Sequence, residues 1–279
     1  MLSKSEIKSL EKKFGFKPQK RLGQNFLIDT NIQKKIIEAA NLKKGDTVLE
    51  IGPGLGELTL DISRSVKEVV AVEFDKKLFS ILDALAGDFK NISIVHEDFL
   101  KYDIAGLSPP GGKIKIISNL PYYVSTPIIL KLFRNKACIE SALLTLQQEV
   151  AERLTAEPKT KAYGSLTLFT AFQAEVKRLF NIKKNSFYPV PQVDSAVILL
   201  KPRREAPVQV DNADLLLALI KTAFSSRRKM LANSLFAAGF KDLPKAAIQN
   251  ILRKAGISEN ARAEELSLSD FARIANLIL

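Results

Sequence analysis

The central part of the chain repeats one pattern: a short run of β-branched and aliphatic residues, a turn, then a stretch with apolar residues at helical spacing. The runs are Thr47-Val48-Leu49-Glu50-Ile51, Val69-Val70-Ala71-Val72-Glu73, Ile92-Ser93-Ile94-Val95, Ile114-Lys115-Ile116-Ile117-Ser118 and Ala142-Leu143-Leu144-Thr145-Leu146. They begin 22 to 28 residues apart, the length of a strand plus a crossover helix, so the spacing predicts an α/β domain on a mostly parallel sheet. Two later runs, at 178–182 and 196–200, follow each other more closely and read as a hairpin. After Lys201-Pro202-Arg203-Arg204-Glu205-Ala206-Pro207 the strand-like runs stop, and Leu215, Leu216, Leu219, Ile220, Ala223 and Phe224 fall at helical spacing. Two more helices are expected around 246–252 and 268–277, with Gly239 and Gly256 as helix ends. The pattern therefore divides the chain into an N-terminal segment (1–44), an α/β domain (45–204) and a small all-helical domain (205–279).

A chain of 279 residues, 46% hydrophobic, can bury a full core. No apolar run approaches the roughly 18 residues of a membrane span, and Met1-Leu2-Ser3-Lys4-Ser5-Glu6 lacks an apolar leader, so a soluble cytoplasmic protein is expected. Cys138 is the only cysteine, which excludes a disulfide framework or a cysteine-based zinc site and leaves a buried structural thiol as its expected role. The net charge of +12 is uneven along the chain. Residues 1–44 hold 11 Lys and Arg against 4 Asp and Glu, 45–176 hold 14 against 17, and 177–254 hold 15 against 5. Basic flanks around a mildly acidic centre fit a polyanion gripped from both sides, because each cation placed on a phosphate gains from counterion release. Basic residues also simply solvate surfaces, but Phe14, Phe16 and Phe26 interleave with the N-terminal cations and tilt the reading toward RNA.

The first strand runs into Gly52-Pro53-Gly54-Leu55-Gly56, a glycine-rich turn that lets the backbone approach a ligand. Its order is G-x-G-x-G, not the G-x-G-x-x-G of dehydrogenases. Glu73 closes the second strand 21 residues after Gly52, where a carboxylate can take both ribose hydroxyls of a nucleoside cofactor. Asp98, just past the third strand, can accept from the amino group of an adenine ring, and lone His96 beside it reads as structural or peripheral. The fourth strand ends in Asn119-Leu120-Pro121-Tyr122, the most diagnostic stretch. An adenine amine is a poor nucleophile because its lone pair is delocalised into the ring. Two acceptors, the Asn119 side-chain oxygen and the Leu120 carbonyl held by Pro121, can turn that lone pair toward an electrophile. Tyr122 offers a ring face for stacking, worth roughly 1 to 3 kcal/mol.

The chain resembles the KsgA-type small-subunit ribosomal RNA adenine dimethyltransferases over nearly its whole length. The resemblance rests on Lys20-Arg21-Leu22-Gly23-Gln24-Asn25-Phe26-Leu27, Leu49-Glu50-Ile51-Gly52-Pro53-Gly54-Leu55-Gly56, Asn119-Leu120-Pro121-Tyr122, Gln147-Gln148-Glu149-Val150-Ala151-Glu152-Arg153 and Phe187-Tyr188-Pro189-Val190-Pro191-Gln192-Val193-Asp194-Ser195. It implies a class I S-adenosylmethionine-dependent methyltransferase domain, Rossmann-like with seven strands, followed by a helical RNA-binding domain. It further implies that Asn25 and Leu27 close over S-adenosylmethionine, that Gly52 and Gly54 lie against its amino-acid end, and that Glu73 holds the ribose, Asp98 the adenine amine and Asn119 the reactive methyl. Phe187 is then a second aromatic wall opposite Tyr122, clamping a flipped adenine. Lys20 and Arg21 would contact RNA, and Arg227, Arg228 and Lys229 would sit on an RNA-facing helix. The implied reaction places two methyls on each of two adjacent adenosines in a 3′-terminal hairpin of 16S ribosomal RNA, on an immature small subunit, by a monomer without membrane or metal.

Three rivals remain. A large-subunit adenine methyltransferase of the macrolide-resistance type shares fold and donor but typically carries isoleucine where Leu120 stands. A non-catalytic RNA-binding assembly factor, or a mitochondrial transcription-factor relative, could keep the fold, although intact Glu73, Asp98 and Asn119-Leu120-Pro121-Tyr122 speak for catalysis. A nicotinamide dehydrogenase fails on the glycine order.

Overall fold

The computed structural model describes residues 3–108, 112–226 and 228–278. By its internal contacts the chain forms two compact units, Met1–Ala151 with Lys177–Pro202, and Glu152–Val176 with Arg203–Leu279. The first 44 residues are thus part of the larger unit, and the segment 152–176, which the pattern placed in the α/β domain, joins the helical one.

The larger unit begins with α1 (Lys4–Phe14), capped by a reciprocal Ser3–Glu6 box and ended by Gly15 in the left-handed region. Then come β1 (Phe26–Leu27), α2 (Thr30–Ala39), β2 (Thr47–Ile51), α3 (Thr59–Ser63), β3 (Glu68–Glu73), α4 (Lys76–Ala86), β4 (Ile92–His96), β5 (Ile114–Asn119), α5 (Ser125–Arg134), β6 (Ile139–Gln147) and α6 (Gln148–Leu154). After α7 (Ser165–Gln173), β7 (Ala174–Ile182), β8 (Phe187–Tyr188) and β9 (Ser195–Pro202) complete the strands. Seven strands form one sheet in the order β4-β3-β2-β5-β6-β9-β7. The pairs from β4 to β6 are parallel and β9 is antiparallel to β6. The expected pair at 178–182 and 196–200 lies side by side as β7 and β9.

All five residues of β2 are buried, as a central strand covered on both faces requires. Val48 and Leu49 are fully buried, each contributing roughly 1.5–3 kcal/mol. Chain order reverses between β2 and β5, since β2 leads outward to β3 and β4 while β5 leads to β6. Such a switch point leaves a crevice beyond the C-terminal ends of the strands. A separate two-stranded ribbon, β1 antiparallel to β8, pairs Leu27 with Phe187 and Phe26 with Tyr188.

The smaller unit is helical: α7, then α8 (Ala213–Ala223), α9 (Leu231–Ala237), α10 (Lys245–Lys254) and α11 (Leu268–Asn276). Tyr163, Leu168, Leu216, Leu219, Leu252 and Phe271 share its core, and the Tyr163 hydroxyl donates to the Leu266 carbonyl at 2.7 Å. Gly239 and Gly256 take left-handed φ just past α9 and α10, the helix-ending positions expected of them.

Two expectations need correction here. Arg228 and Lys229 do not lie on a helix: they sit exposed in the turn before α9, closed by the Lys229 amide on the Ser226 carbonyl at 3.0 Å, and Arg227 lies outside the described residues. Cys138 is half-buried, its thiol against the Asn135 carbonyl at 3.3 Å, and not a core thiol.

Candidate active site

The crevice at the switch point holds a cavity of about 260 Å³. Leu22 to Leu27, the glycine turn, the end of β3, the residues just past β4, and Asn119 to Val124 line it. Every cofactor candidate borders it: Asn25, Leu27, Gly52, Gly54, Glu73, Asp98 and Asn119, together with Leu120, Pro121 and Tyr122.

The glycine turn is shaped by contacts that exclude side chains. A Cβ on Gly54 would come within 3.2 Å of the Phe26 ring, and one on Gly56 would strike Leu82 at 2.5 Å. Both residues also have positive φ, which other residues adopt at a cost. The bare Gly54 amide donates to Glu73 Oε2 at 3.0 Å, and the Asp75 amide donates to Glu73 Oε1 at 2.7 Å. These bonds fix the carboxylate that closes β3. Asp75 caps α4 through the amides of Lys77 and Leu78, and its other oxygen accepts from the side-chain amides of Gln19 at 2.7 Å and Gln24 at 3.0 Å. The N-terminal segment is thereby tied to the same corner. Asp98 accepts the Leu100 amide at 2.9 Å, and the loop that carries it is gripped by Lys131, whose ammonium donates to the Phe99 and Tyr102 carbonyls.

Asn119 ends β5 with its side chain at the cavity. Its Nδ2 donates to the Asn25 carbonyl at 3.1 Å, which fixes the amide plane and leaves Oδ1 as an acceptor. The Leu120 amide donates to the Thr145 carbonyl at 3.1 Å, and among the described residues no backbone amide donates to the Leu120 carbonyl. The Tyr122 hydroxyl shares a 2.8 Å hydrogen bond with Ser195 Oγ, which anchors its ring. Asn119, Leu120 and Tyr122 thus border one cavity. That arrangement can orient an exocyclic amine.

Phe187 is not part of this wall. The pairing of β8 with β1 turns its ring inward, 1% exposed, among Leu27, Ile36, Ile182 and Val197. A two-residue strand shows no alternation that could have announced this. His96 lies outside the cavity lining, its ring against Phe79 and Nε2 3.2 Å from the Phe74 carbonyl.

Lining residues to which the motifs gave no role include Glu50, Glu57, Phe74, Asp75, Glu97 and Tyr123. Phe74 and Tyr123 are more than half exposed. Burial pushes the carboxyls of Glu50 and Glu57 up to about 8, and each also feels the charge of Glu73. Burial raises Glu73 to about 7, against the two amides that it accepts. Lys20 and Arg21 are exposed on the short turn leading to β1. Among the described residues no group of His, Cys, Asp or Glu is arranged to hold a metal ion, and no helix is long and apolar enough to cross a membrane.

A family model described as ribosomal RNA adenine dimethylase matches residues 15–279. The ribosomal RNA small subunit methyltransferase A of Alkaliphilus oremlandii (strain OhILAs) is 40% identical over 277 residues, covering 98% of this chain and 96% of that protein. Among solved structures, a dimethyladenosine transferase from Plasmodium falciparum superposes with a TM-score of 0.75 at 26% identity, over 89% of this chain and 95% of that one. The 23S rRNA methyltransferase ErmE superposes at 0.68 with 26% identity, over 91% and 99%.

Proposed function

The chain belongs to the ribosomal RNA adenine dimethylase family, and from that premise we propose that it transfers methyl groups from S-adenosylmethionine to the N6 amines of two adjacent adenosines in a 3′-terminal hairpin of 16S ribosomal RNA. The mostly parallel seven-stranded sheet is the class I methyltransferase fold. The observation that supports the proposal is that Asn119, Leu120 and Tyr122 line one cavity together with the glycine turn, with the Asn119 Nδ2 engaged by the Asn25 carbonyl.

The cavity fits the donor on its own chemistry. Glu50 and Glu57 keep buried oxygens without a hydrogen-bond partner, which suits a positively charged ligand, and Gly54 leaves the backbone bare where a side chain would meet Phe26. Gly52 and Gly54 would border the donor's amino-acid end, Glu73 its ribose, Asp98 its adenine amine, and Asn25 and Leu27 would close over it. When bound, the donor supplies a methyl group on a positively charged sulfur.

The chain's own residues do the rest. Asn119 Oδ1 and the Leu120 carbonyl accept the two N–H bonds of the amine, so its lone pair is aimed at the methyl carbon. Pro121 stiffens the turn and Tyr122 stacks on the base. The methyl would come from the donor, whose bonding pair would stay on its sulfur, and the amine's proton would leave to water. No general base is needed, because in-line positioning supplies most of the acceleration. A monomethylated amine keeps one proton for an acceptor, so the same pocket serves the second transfer. Lys20 and Arg21 in one unit, and Arg228 and Lys229 in the other, offer exposed cations to phosphates. The working form is a cytoplasmic monomer acting on an immature small subunit.

The test is radiolabelled methyl transfer to small subunits that lack the modification, followed by primer-extension mapping. Two adjacent modified adenosines near the 3′ end of the small-subunit RNA are expected. Modification of large-subunit RNA alone would move the chain to the activity named for ErmE, and labelling of neither would leave an RNA-binding factor.

A further inference from the structure

The turn at 119–122 follows β5, the loop that carries Asp98 follows β4, and β3 and β2 lie between those strands in the sheet. One helix reaches both. Helix α5 starts just past the turn, and Ser125 Oγ donates to the Tyr122 carbonyl at 3.0 Å. Three residues later Ile128, 2% exposed, lines the cavity. Three residues further on, the Lys131 ammonium donates to the Phe99 carbonyl at 2.7 Å and to the Tyr102 carbonyl at 2.5 Å. This spacing keeps the three side chains on one flank of the helix, over about 9 Å of its length.

The loop has little of its own to place it. The Lys101 and Tyr102 amides donate to the Asp98 carbonyl at 2.8 and 3.2 Å, and the Leu100 amide donates to Asp98 Oδ1 at 2.9 Å. These bonds are local: they shape the turn without fixing where it sits. Lys131, 32 and 29 residues away from its two acceptors in sequence, supplies the long-range bonds, and its ammonium also lies over the Phe99 ring at 5.1 Å. Burial lowers the pKa of this ammonium, and the charges of Glu97, Asp98 and Asp103 oppose that shift. Lys131 does not itself line the cavity, whereas Glu97, Asp98, Phe99 and Leu100 do. Anything it does for a ligand passes through the loop.

We propose that Lys131 is a positioning residue for the methyl donor. It fastens the loop carrying Asp98 to the helix that follows the turn at 119–122, so that the donor's adenine end is read at a fixed distance from the acceptors for the amine. The inference rests on the donor reading above, in which Asp98 takes the adenine amine. A lysine that only satisfies two carbonyls would cost stability when replaced and nothing particular to the donor. Positioning has a different signature: with the loop released, the donor must order Asp98 itself, and that cost comes out of its affinity. Transfer at saturating donor is spared, because the turn keeps its own bonds to Asn25, Thr145 and Ser195.

The test is steady-state methyl transfer to small subunits that lack the modification, with S-adenosylmethionine varied, for the wild type, Lys131→Met, Asp98→Ala and the double variant. Lys131→Met keeps the stem and removes the ammonium. Its KM for the donor is expected to rise roughly 10-fold, the loss of one charge-assisted hydrogen bond, with kcat and the KM for the subunit nearly unchanged. Lys131→Arg, which keeps the charge and two donors, is expected to recover most of the loss. The double variant should be no worse than Asp98→Ala alone, because both changes remove one contact. An unchanged donor KM in Lys131→Met while Asp98→Ala raises it, additive effects in the double variant, or a fall in kcat and melting temperature alone would overturn the inference and leave the donor reading standing. An unchanged donor KM in Asp98→Ala would overturn the reading of Asp98, and the inference with it. If Lys131→Met fails to fold, Lys131→Gln, one bond too short to reach both carbonyls, takes its place with the same expected rise.

Discussion

At the N-terminal edge of the parallel strands, the ammonium of Lys115 on β5 is 4% exposed and fully answered, 2.8 Å from Asp46, 2.6 Å from the Asn41 carbonyl and 3.7 Å from Glu140. At the C-terminal edge, Glu50 on β2 and Glu57 beyond it are as deeply buried, yet each keeps an oxygen with no partner. One sheet therefore treats buried charge in two ways. Where the fold completes the electrostatics itself, the group serves stability. Where it leaves them incomplete beside a cavity, the fold bears a desolvation cost and leaves room for a ligand to offset it.

Substitutions at the two edges should separate these roles. The largest effect is expected from Asn119→Ala, which removes one of the two acceptors: methyl transfer should fall about 100- to 1000-fold by analogy with the loss of a single positioning donor in other enzymes, with melting temperature and RNA affinity nearly unchanged. Unaltered turnover in the radiolabel assay would remove the positioning role. Lys115→Met should do the opposite, costing about 3 kcal/mol in chemical denaturation because Asp46 is left uncompensated, while donor affinity holds. A change in donor affinity without one in stability would erase the contrast between the edges.

A further effect concerns pH. Glu50 and Glu57 have folded values near 8 against an ordinary 4.5, so between those limits the folded chain holds protons that the unfolded chain has lost. Their contribution to stability therefore falls as pH rises through that window and levels off above it. Glu57→Gln should flatten this decline, by at most about 1.4 kcal/mol per pH unit, in melts of the ligand-free protein from pH 5 to 8. An unchanged slope would show that Glu57 is ionised in the empty pocket.

Much of the sheet was legible in the chain because β-branched runs at regular spacing leave little else for the backbone to do: β2 spans the residues of the first run, and β3 to β6 contain the others. The helix α1 was hidden, since its apolar stripe of Ile7, Leu10 and Phe14 lies among lysines that read as a charge run, and its ends are set by Ser3, Glu6 and Gly15. Phe187 was misplaced because whether its ring faces a ligand or the core depends on β8 pairing with β1, a long-range register. The resemblance implied a helix for Arg228 and Lys229, but the helix starts only at Leu231. The glycine turn and Asn119-Leu120-Pro121-Tyr122 announced the crevice. The burial of Glu50 and Glu57 did not follow from spacing, because it arises where β2, the glycine turn, the end of β3 and the residues just past β4 meet around a cavity.

The most direct measurement is a crystal structure with S-adenosylhomocysteine and a short hairpin RNA carrying the target adenosines. Asn119 Oδ1 and the Leu120 carbonyl should each lie about 3 Å from the exocyclic nitrogen, with the base on the Tyr122 ring and the sulfur beside Glu50 and Glu57. A base bound elsewhere, or a sulfur facing away from that nitrogen, would contradict the arrangement.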